Sequence, residues 1–556
     1  AQGAGPLPAR NVAVLSATDK IPFNVSVKTF TGGNWLTAAP GSGTGDPTAA
    51  PVNLTINADA TGLAATDYYG AVTLTPTDGK HPPVSVAIIL HIVPAGTAAS
   101  PGVSPAGVLF FGPAGASPKA QTFAMSNVTS TALAFTGVAT QATSFFDFSP
   151  KAGAIAAGQT QSITVTPSSA ALAAGVYRGS IKLTFGDNST QTVDVLLVLS
   201  ATAGSSNIRA ATGCTATKLL PVLTSIGGGF SAPVAWPTSI ITQVVDDCGV
   251  ASNSGSVTAS FTNGDPPLAL LNIGGGQWSA TWVPVHTSAG SSVRADAQTL
   301  SPALSGSVQV NGQVATNPAV PIVATGGVLS SGDYIGSPAL GLLVSIFGTA
   351  LADGSLGNSS LPLPTQLGST SVSASGVVLP LLYVSDSQVN VLIPYEIAVN
   401  APHQLIVQRA NAISVPVPIS VFDSQAAILA TAGNGLGQGH IYKIVAGAQV
   451  LADANSPAKA GDVLVMYTVG LGQVTPALAS GDPAPFTQLE QINGTGSVTI
   501  GGVSAQVLFA GLTPGFSGLY QVNVVVPAGI MAGNQTPVTV SVNGRAGAGN
   551  IFMAVQ

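Results

Sequence analysis

Gln388-Val389-Asn390-Val391-Leu392-Ile393-Pro394 is written twice in this chain, returning 133 positions later as Gln521-Val522-Asn523-Val524-Val525-Val526-Pro527. Each copy alternates polar and apolar residues and stops at a proline. That is the pattern of a half-buried β-strand, ended where a missing N–H can no longer feed a sheet. The surroundings repeat too. Leu343-Val344-Ser345-Ile346-Phe347-Gly348 answers Val463-Leu464-Val465-Met466-Tyr467-Thr468, and Ser371 to Gly376 answers Ser497 to Gly502. Gln404 to Gln408 answers Pro537 to Ser541. A duplicated β unit of about 100 residues has the size of a sandwich.

Composition narrows the class. Only 6% of the 556 residues are charged, against 46% hydrophobic, with 66 Gly and 40 Pro. Disordered chains are charged and poor in β-branched residues, so disorder is excluded. The longest apolar run, Val84 to Val93, is about half a bilayer span, which argues against a membrane-crossing helix. Fifteen scattered Lys and Arg form no basic patch, which argues against nucleic acid. A net charge of −6 leaves little repulsion between copies and favours self-association.

The N-terminal part reads as a second pair of repeats, residues 1–97 and 98–203. Leu63-Ala64-Ala65 before Tyr68-Tyr69-Gly70 matches Leu172-Ala173-Ala174 before Tyr177-Arg178-Gly179, each followed by two closing strands. With Asn34-Trp35-Leu36-Thr37, these hairpins resemble the BACON-type immunoglobulin-like domain of secreted bacterial proteins. The resemblance implies an immunoglobulin-like sandwich and a carbohydrate ligand for which Trp35, Tyr68 or Tyr69 would be the stacking platform. The competing reading makes Trp35 a plug in the sandwich core. Gly107 to Phe111 opens the second copy, whereas only Ala1 to Arg10 stands before the first strand of the first copy. The first domain is therefore expected to lack its opening strand.

Residues 204–315 hold the only two cysteines, Cys214 and Cys248. An even count in a secreted chain predicts one disulfide. This unit resembles the immunoglobulin-like repeats of invasin-type surface proteins. Residues 316–335, rich in Pro, Gly, Ser and Ala, read as a linker. Residues 336–425 and 426–556 are the two halves of the duplication. Gly470-Leu471-Gly472, Leu382-Tyr383-Val384-Ser385-Asp386-Ser387-Gln388 and Phe509 to Asn523 carry a further resemblance. They are similar to the uncharacterised C-terminal domain of secreted Acidobacteria proteins of Solibacter type, each half resembling an IPT/TIG-type unit. That resemblance implies secretion and brings no activity with it.

No catalytic set is legible. His81, His91, His286, His403 and His440 are scattered and stand beside no nucleophile motif. Asp46, Asp59, Asp67, Asp246, Asp247 and Asp265 read as turn carboxylates, so no metal or cofactor is expected. The expectation is an all-β chain of about five tandem immunoglobulin-like sandwiches with very little helix. Its function reads as non-catalytic, extracellular and structural: a cell-surface fibre or stalk subunit that self-associates into a homopolymer. The alternative is a carbohydrate-binding surface adhesin.

Overall fold

The structure is a computed structural model. It describes residues 2, 5–7, 9–94, 101–115, 117–200, 214–317, 320–336, 338–547 and 550–556. The boundaries expected at 97/98 and 203/204 lie outside the described residues. Every regular element described is a strand, so the all-β expectation holds. The chain forms two compact units, Ala1–Thr73 with Ala87–Asn317, and Leu74–Val86 with Pro318–Gln556.

In the first unit, residues 102–200 make two sheets. One orders Phe146–Ser149, Thr160–Pro167, Gln121–Ser126 and Gly102–Ser104. The other orders Ala152–Ile155, Leu133–Gln141, Gly175–Phe185, Thr190–Ser200 and Gly107–Pro113. The last strand runs parallel to its neighbour, with Val108 opposite Val195. Alternating inward residues such as Phe110, Phe123, Ile163, Leu183 and Leu197 fill the space between the sheets. Residues 10–91 repeat this arrangement with seven strands, in sheets of three and four. Strands equivalent to Gly102–Ser104 and Gly107–Pro113 are missing there among the described residues. Leu7 instead donates its N–H to Ala58 O, and Pro6 bridges Asp59, prolonging the ladder of Arg10–Val14 along Val52–Ala58.

Residues 219–315 build the third set of strands, and an apolar joint fixes it to the second. Leu109, Leu196, Val198, Leu220, Val222 and Val245 are all buried in one cluster. The Ala106 N–H bonds Thr224 O and the Thr192 N–H bonds Gly228 O across the same joint. Gly107 permits the approach: a Cβ there would lie 2.5 Å from Val222 Cγ1. Cys214 and Cys248 are joined as a disulfide, their Cα atoms 5.9 Å apart.

The linker expected at 316–335 is corrected. Ile322–Ser330 is a strand paired antiparallel with Leu343–Thr349, Val328 facing Ile346. Its ladder shifts register between Val323 and Val328, so the Gly326-Gly327 pair that reads as loop is a bulge.

The second unit makes the duplication visible. Gln388–Leu392 lies between Leu343–Thr349 and Leu381–Val384. Tyr520–Val525 lies equivalently between Val463–Val469 and Val503–Leu512. Asn390 opposes Ser345 and Asn523 opposes Val465, which keeps the sequence repeat in register. Val372 facing Val407 and Val498 facing Val540 do the same in the companion sheets.

Candidate functional site

The chain contains two glutamates, Glu396 and Glu490. The charges of both act on Tyr395, where the two halves of the second unit meet. The proline that ends each repeated strand releases the chain there. After Pro394, Tyr395 receives a hydrogen bond from Gln473 Nε2 on its carbonyl, and its N–H donates to Ser480 Oγ at 2.8 Å. Ser480 Oγ in turn donates to Glu396 Oε2 at 2.7 Å.

The Tyr395 hydroxyl meets that of Tyr520, which is also bonded to Gly472 O. Burial pushes the Tyr395 phenol up to about 12, and the charges of Glu490 and Glu396 add to the effect. Tyr520, fully enclosed, is raised further by burial and by Tyr395. Both phenols stay protonated. Glycine makes the approach possible: at Gly341, with φ +65°, a Cβ would sit 2.1 Å from Tyr520 Oη. Gly472, with φ +88°, would likewise meet Asp423 O at 2.5 Å.

Two irregular segments complete the place, residues 476–490 and 513–519. They are tied together by Ala484, whose N–H bonds Phe516 O and whose carbonyl accepts Gly515 N–H. Leu512 N–H bonds Glu490 O, and Leu363 N–H bonds Gly481 O. Glu490 is 4% exposed, and its Oε2 has no hydrogen-bond partner. Burial raises its carboxyl above the usual range. Thr513 and Ser517 are buried with hydroxyls in the same condition. In the same two segments Phe486 is 79% and Phe516 53% exposed. Among the described residues these are the only Phe, Tyr or Trp side chains in the exposed class. The Phe486 ring lies over Gly515, where a Cβ would meet it at 2.7 Å.

The platform expected at Trp35, Tyr68 and Tyr69 is corrected, because all three are buried, at 3%, 7% and 2% exposure. Trp35 Nε1 donates to Thr31 O, and Tyr68 Oη donates to Ala64 O. Tyr177 Oη donates to Ala173 O in the second copy. The repeated Leu-Ala-Ala…Tyr pattern is thus a tyrosine clamping its own turn, and Trp35 is a core plug.

The histidines stand apart. His81 and His91 pair with Asp78 and Asp67, and His286 with Asp265. His440 meets the Tyr442 hydroxyl. His403 comes nearest to a nucleophile–base pair, with Nδ1 3.1 Å from Ser375 Oγ. That ring is buried, its Nε2 donates to Ala398 O, and Ser375 Oγ also accepts the Gln404 N–H. It pins a turn. The acids considered as metal ligands are likewise occupied locally. Asp46 accepts from Thr48 and pairs with Lys20; Asp246 accepts the N–H groups of Cys248 and Val250. Among the described residues no cluster of three metal-ligating side chains occurs.

No family model matches the chain. No curated protein matches it. Among solved structures it is similar to a mixed-linkage glucan utilization protein of Bacteroides ovatus, SGBP-B, in complex with a heptasaccharide. Identity is 11%, coverage 59% of this chain and 66% of that one, and TM-score 0.27. It is also similar to the CsuC–CsuE chaperone–tip adhesion subunit complex of Acinetobacter baumannii pili. There identity is 9%, coverage 39% and 100%, and TM-score 0.20. An endo-fucoidan hydrolase is 13% identical over 57% of this chain and 43% of its own, with TM-score 0.15. At these scores the likenesses carry no argument about function.

Proposed function

We propose that the chain is a non-catalytic, extracellular structural subunit, a fibre-forming component of a bacterial surface assembly built from about five immunoglobulin-like units. The observation that carries this reading is the apolar joint of Leu109, Leu196, Val198, Leu220, Val222 and Val245. Connected domains move against one another unless their interface is large and hydrophobic. A dry joint reinforced by backbone hydrogen bonds transmits load in place of flexing. The weakly charged surface supports self-association, and the disulfide and the C-terminal resemblance support a secreted setting.

Negative-stain electron microscopy of the purified chain over a hundredfold concentration range tests the reading. Regular polymers of uniform width are expected. A chain that stays monomeric throughout overturns the fibre-forming role.

A further inference from the structure

We propose that the first sandwich accepts a β-strand from another subunit, laid along residues 87–93 as a short, extended, uncharged segment with apolar residues at alternate positions. The two N-terminal copies superpose by pairing. Val12 faces Leu54 as Phe123 faces Ile163, and Tyr68 clamps its turn as Tyr177 does, both at an offset of 109 (163 − 54 and 177 − 68). Ile92 N–H bonds Thr66 O in the place where Leu199 faces Gly175, so Ile88 answers Val195 and Leu90 answers Leu197. In the second copy Val108 and Phe110 stand opposite those two residues and close the core. Among the described residues no strand pairs with that edge in the first copy. The packing differs accordingly. Val195, Phe123 and Met125 are at most 1% exposed, whereas their counterparts Ile88, Val12 and Val14 are half-buried.

The main chain of this edge selects a strand as the occupant. Alternation sends the Ile92 N–H to Thr66 and therefore turns the N–H groups of Ala87, Ile89 and His91 to the far side. Asp194, the counterpart of Ala87, uses its N–H there on Ala106 O. Exposed edges are commonly blunted by lysine or proline, and Val84–His91 contains neither. Another strand meets such a row of donors and acceptors with its own backbone. Gln2 fixes direction and length. Its N–H donates to Val93 O as the Ala114 N–H donates to Ser200 O, and Ala114 directly follows the seven residues Gly107–Pro113. The occupant therefore runs parallel to Val84–His91 and ends beside Gln2. Val12, Val14, Ile88 and Leu90 face the seam, so it places apolar side chains between the sheets and no charge there. That the strand comes from another subunit rests on the fibre-forming role proposed above, since donated strands join subunits head to tail.

The test uses the full chain, dilute and monomeric, with the peptide Gly-Val-Leu-Phe-Phe-Gly-Pro, the sequence of residues 107–113, made soluble by an N-terminal polyethylene glycol tail. Fluorescence anisotropy follows binding, and mass spectrometry reads amide hydrogen exchange residue by residue. Saturable binding is expected, weakened about tenfold or more when the peptide carries Val108→Asp and Phe110→Asp. Exchange at Ala87, Ile89 and His91 should slow about tenfold or more in the complex. The substitutions sit in the peptide, so no variant of the chain has to fold. Absence of binding at about 0.1 mM peptide overturns the assignment, as does equal binding of the aspartate peptide or binding that leaves those three amides unprotected. Protection of the three amides before peptide is added also overturns it, because the chain then covers its own edge. The peptide reads the site without polymerisation. A chain that takes the peptide yet stays monomeric in electron microscopy loses the fibre-forming role and keeps the acceptor site, whereas polymers formed by a chain that refuses the peptide reject the acceptor site alone.

Discussion

The Tyr395 hydroxyl lies 3.0 Å from that of Tyr520, and the direction of this bond is fixed. Tyr520 has one proton and donates it to Gly472 O at 2.5 Å, so Tyr395 is the donor between the two rings. A chain of donors thus runs from the first half of the duplication through the second to the Gly-Leu-Gly turn.

That direction makes the two tyrosines unequal. Tyr520→Phe leaves both the Gly472 carbonyl and the Tyr395 hydroxyl without a partner in a buried place, costing about 2–3 kcal/mol. Tyr395→Phe leaves the Tyr520–Gly472 bond intact and costs about 1 kcal/mol. Calorimetric melting of the two variants checks the order. Equal losses would mean that the hydroxyls do not act in series.

Glu490 gives the opposite sign. Burial raises its carboxyl in the folded state, so the folded chain holds this proton more tightly than the unfolded one. Below the unfolded value, about 4.3, both states are protonated and the group has no effect. As pH rises through the folded value, ionisation in the buried place destabilises the fold. Glu490→Gln is therefore expected to raise the melting temperature at pH 7, with the difference shrinking to nothing near pH 4. A variant less stable at pH 7 would show a carboxylate that is well satisfied.

The repeat at Gln388 and Gln521 was legible because strand pairing preserves a period of two, and tertiary structure kept both copies in register. The hairpin clamps were also visible as patterns, although not as clamps. Trp35 invited a surface reading because a large ring suits either a core or a ligand, and only the packing around it decides. Ile322–Ser330 was hidden by its own bulge glycines. The Glu396, Tyr395, Glu490 and Tyr520 grouping depends on folding segments 85–125 residues apart onto one junction. Its one trace in the sequence was scarcity, two glutamates in 556 residues. The exposure of Phe486 and Phe516 left no trace, since irregular segments carry no periodicity to read.

Asp265 should govern acid stability in the first unit. Burial pushes its carboxyl up, but hydrogen bonds from Asn263, His286, Trp282 and Val285 outweigh that and hold it below the ordinary range. Trp282 Nε1 donates at 2.8 Å, and its ring stacks on Phe261 with centroids 4.4 Å apart. A depressed folded value means the stabilisation is complete above the unfolded value, about 3.9. It is lost as pH falls through the folded value. Asp265→Asn should cost about 2–3 kcal/mol at pH 7 and flatten the acid limb of the stability curve below pH 4. An unchanged acid limb would assign that loss to other carboxylates.

The joint between the second and third sets of strands is the feature on which a load-bearing role depends. Leu196 and Val222 are buried in it at 1% exposure each, so truncation removes packing that solvent does not replace. Each change to alanine should cost about 2–4 kcal/mol. Its manner matters more than its size. Neither residue belongs to the core between the two sheets of residues 102–200, which is built from Phe110, Leu183, Leu197 and their neighbours. The loss should therefore fall on the coupling between the two sets. In the parent chain they are expected to melt together. In the Leu196→Ala/Val222→Ala variant the calorimetric peak should split, with the individual transitions shifted less than the coupling is reduced, and the costs non-additive because both residues share one cluster. A single peak moved bodily to lower temperature would show that the cluster serves each fold separately, and the joint would then be no stiffer than an ordinary linker.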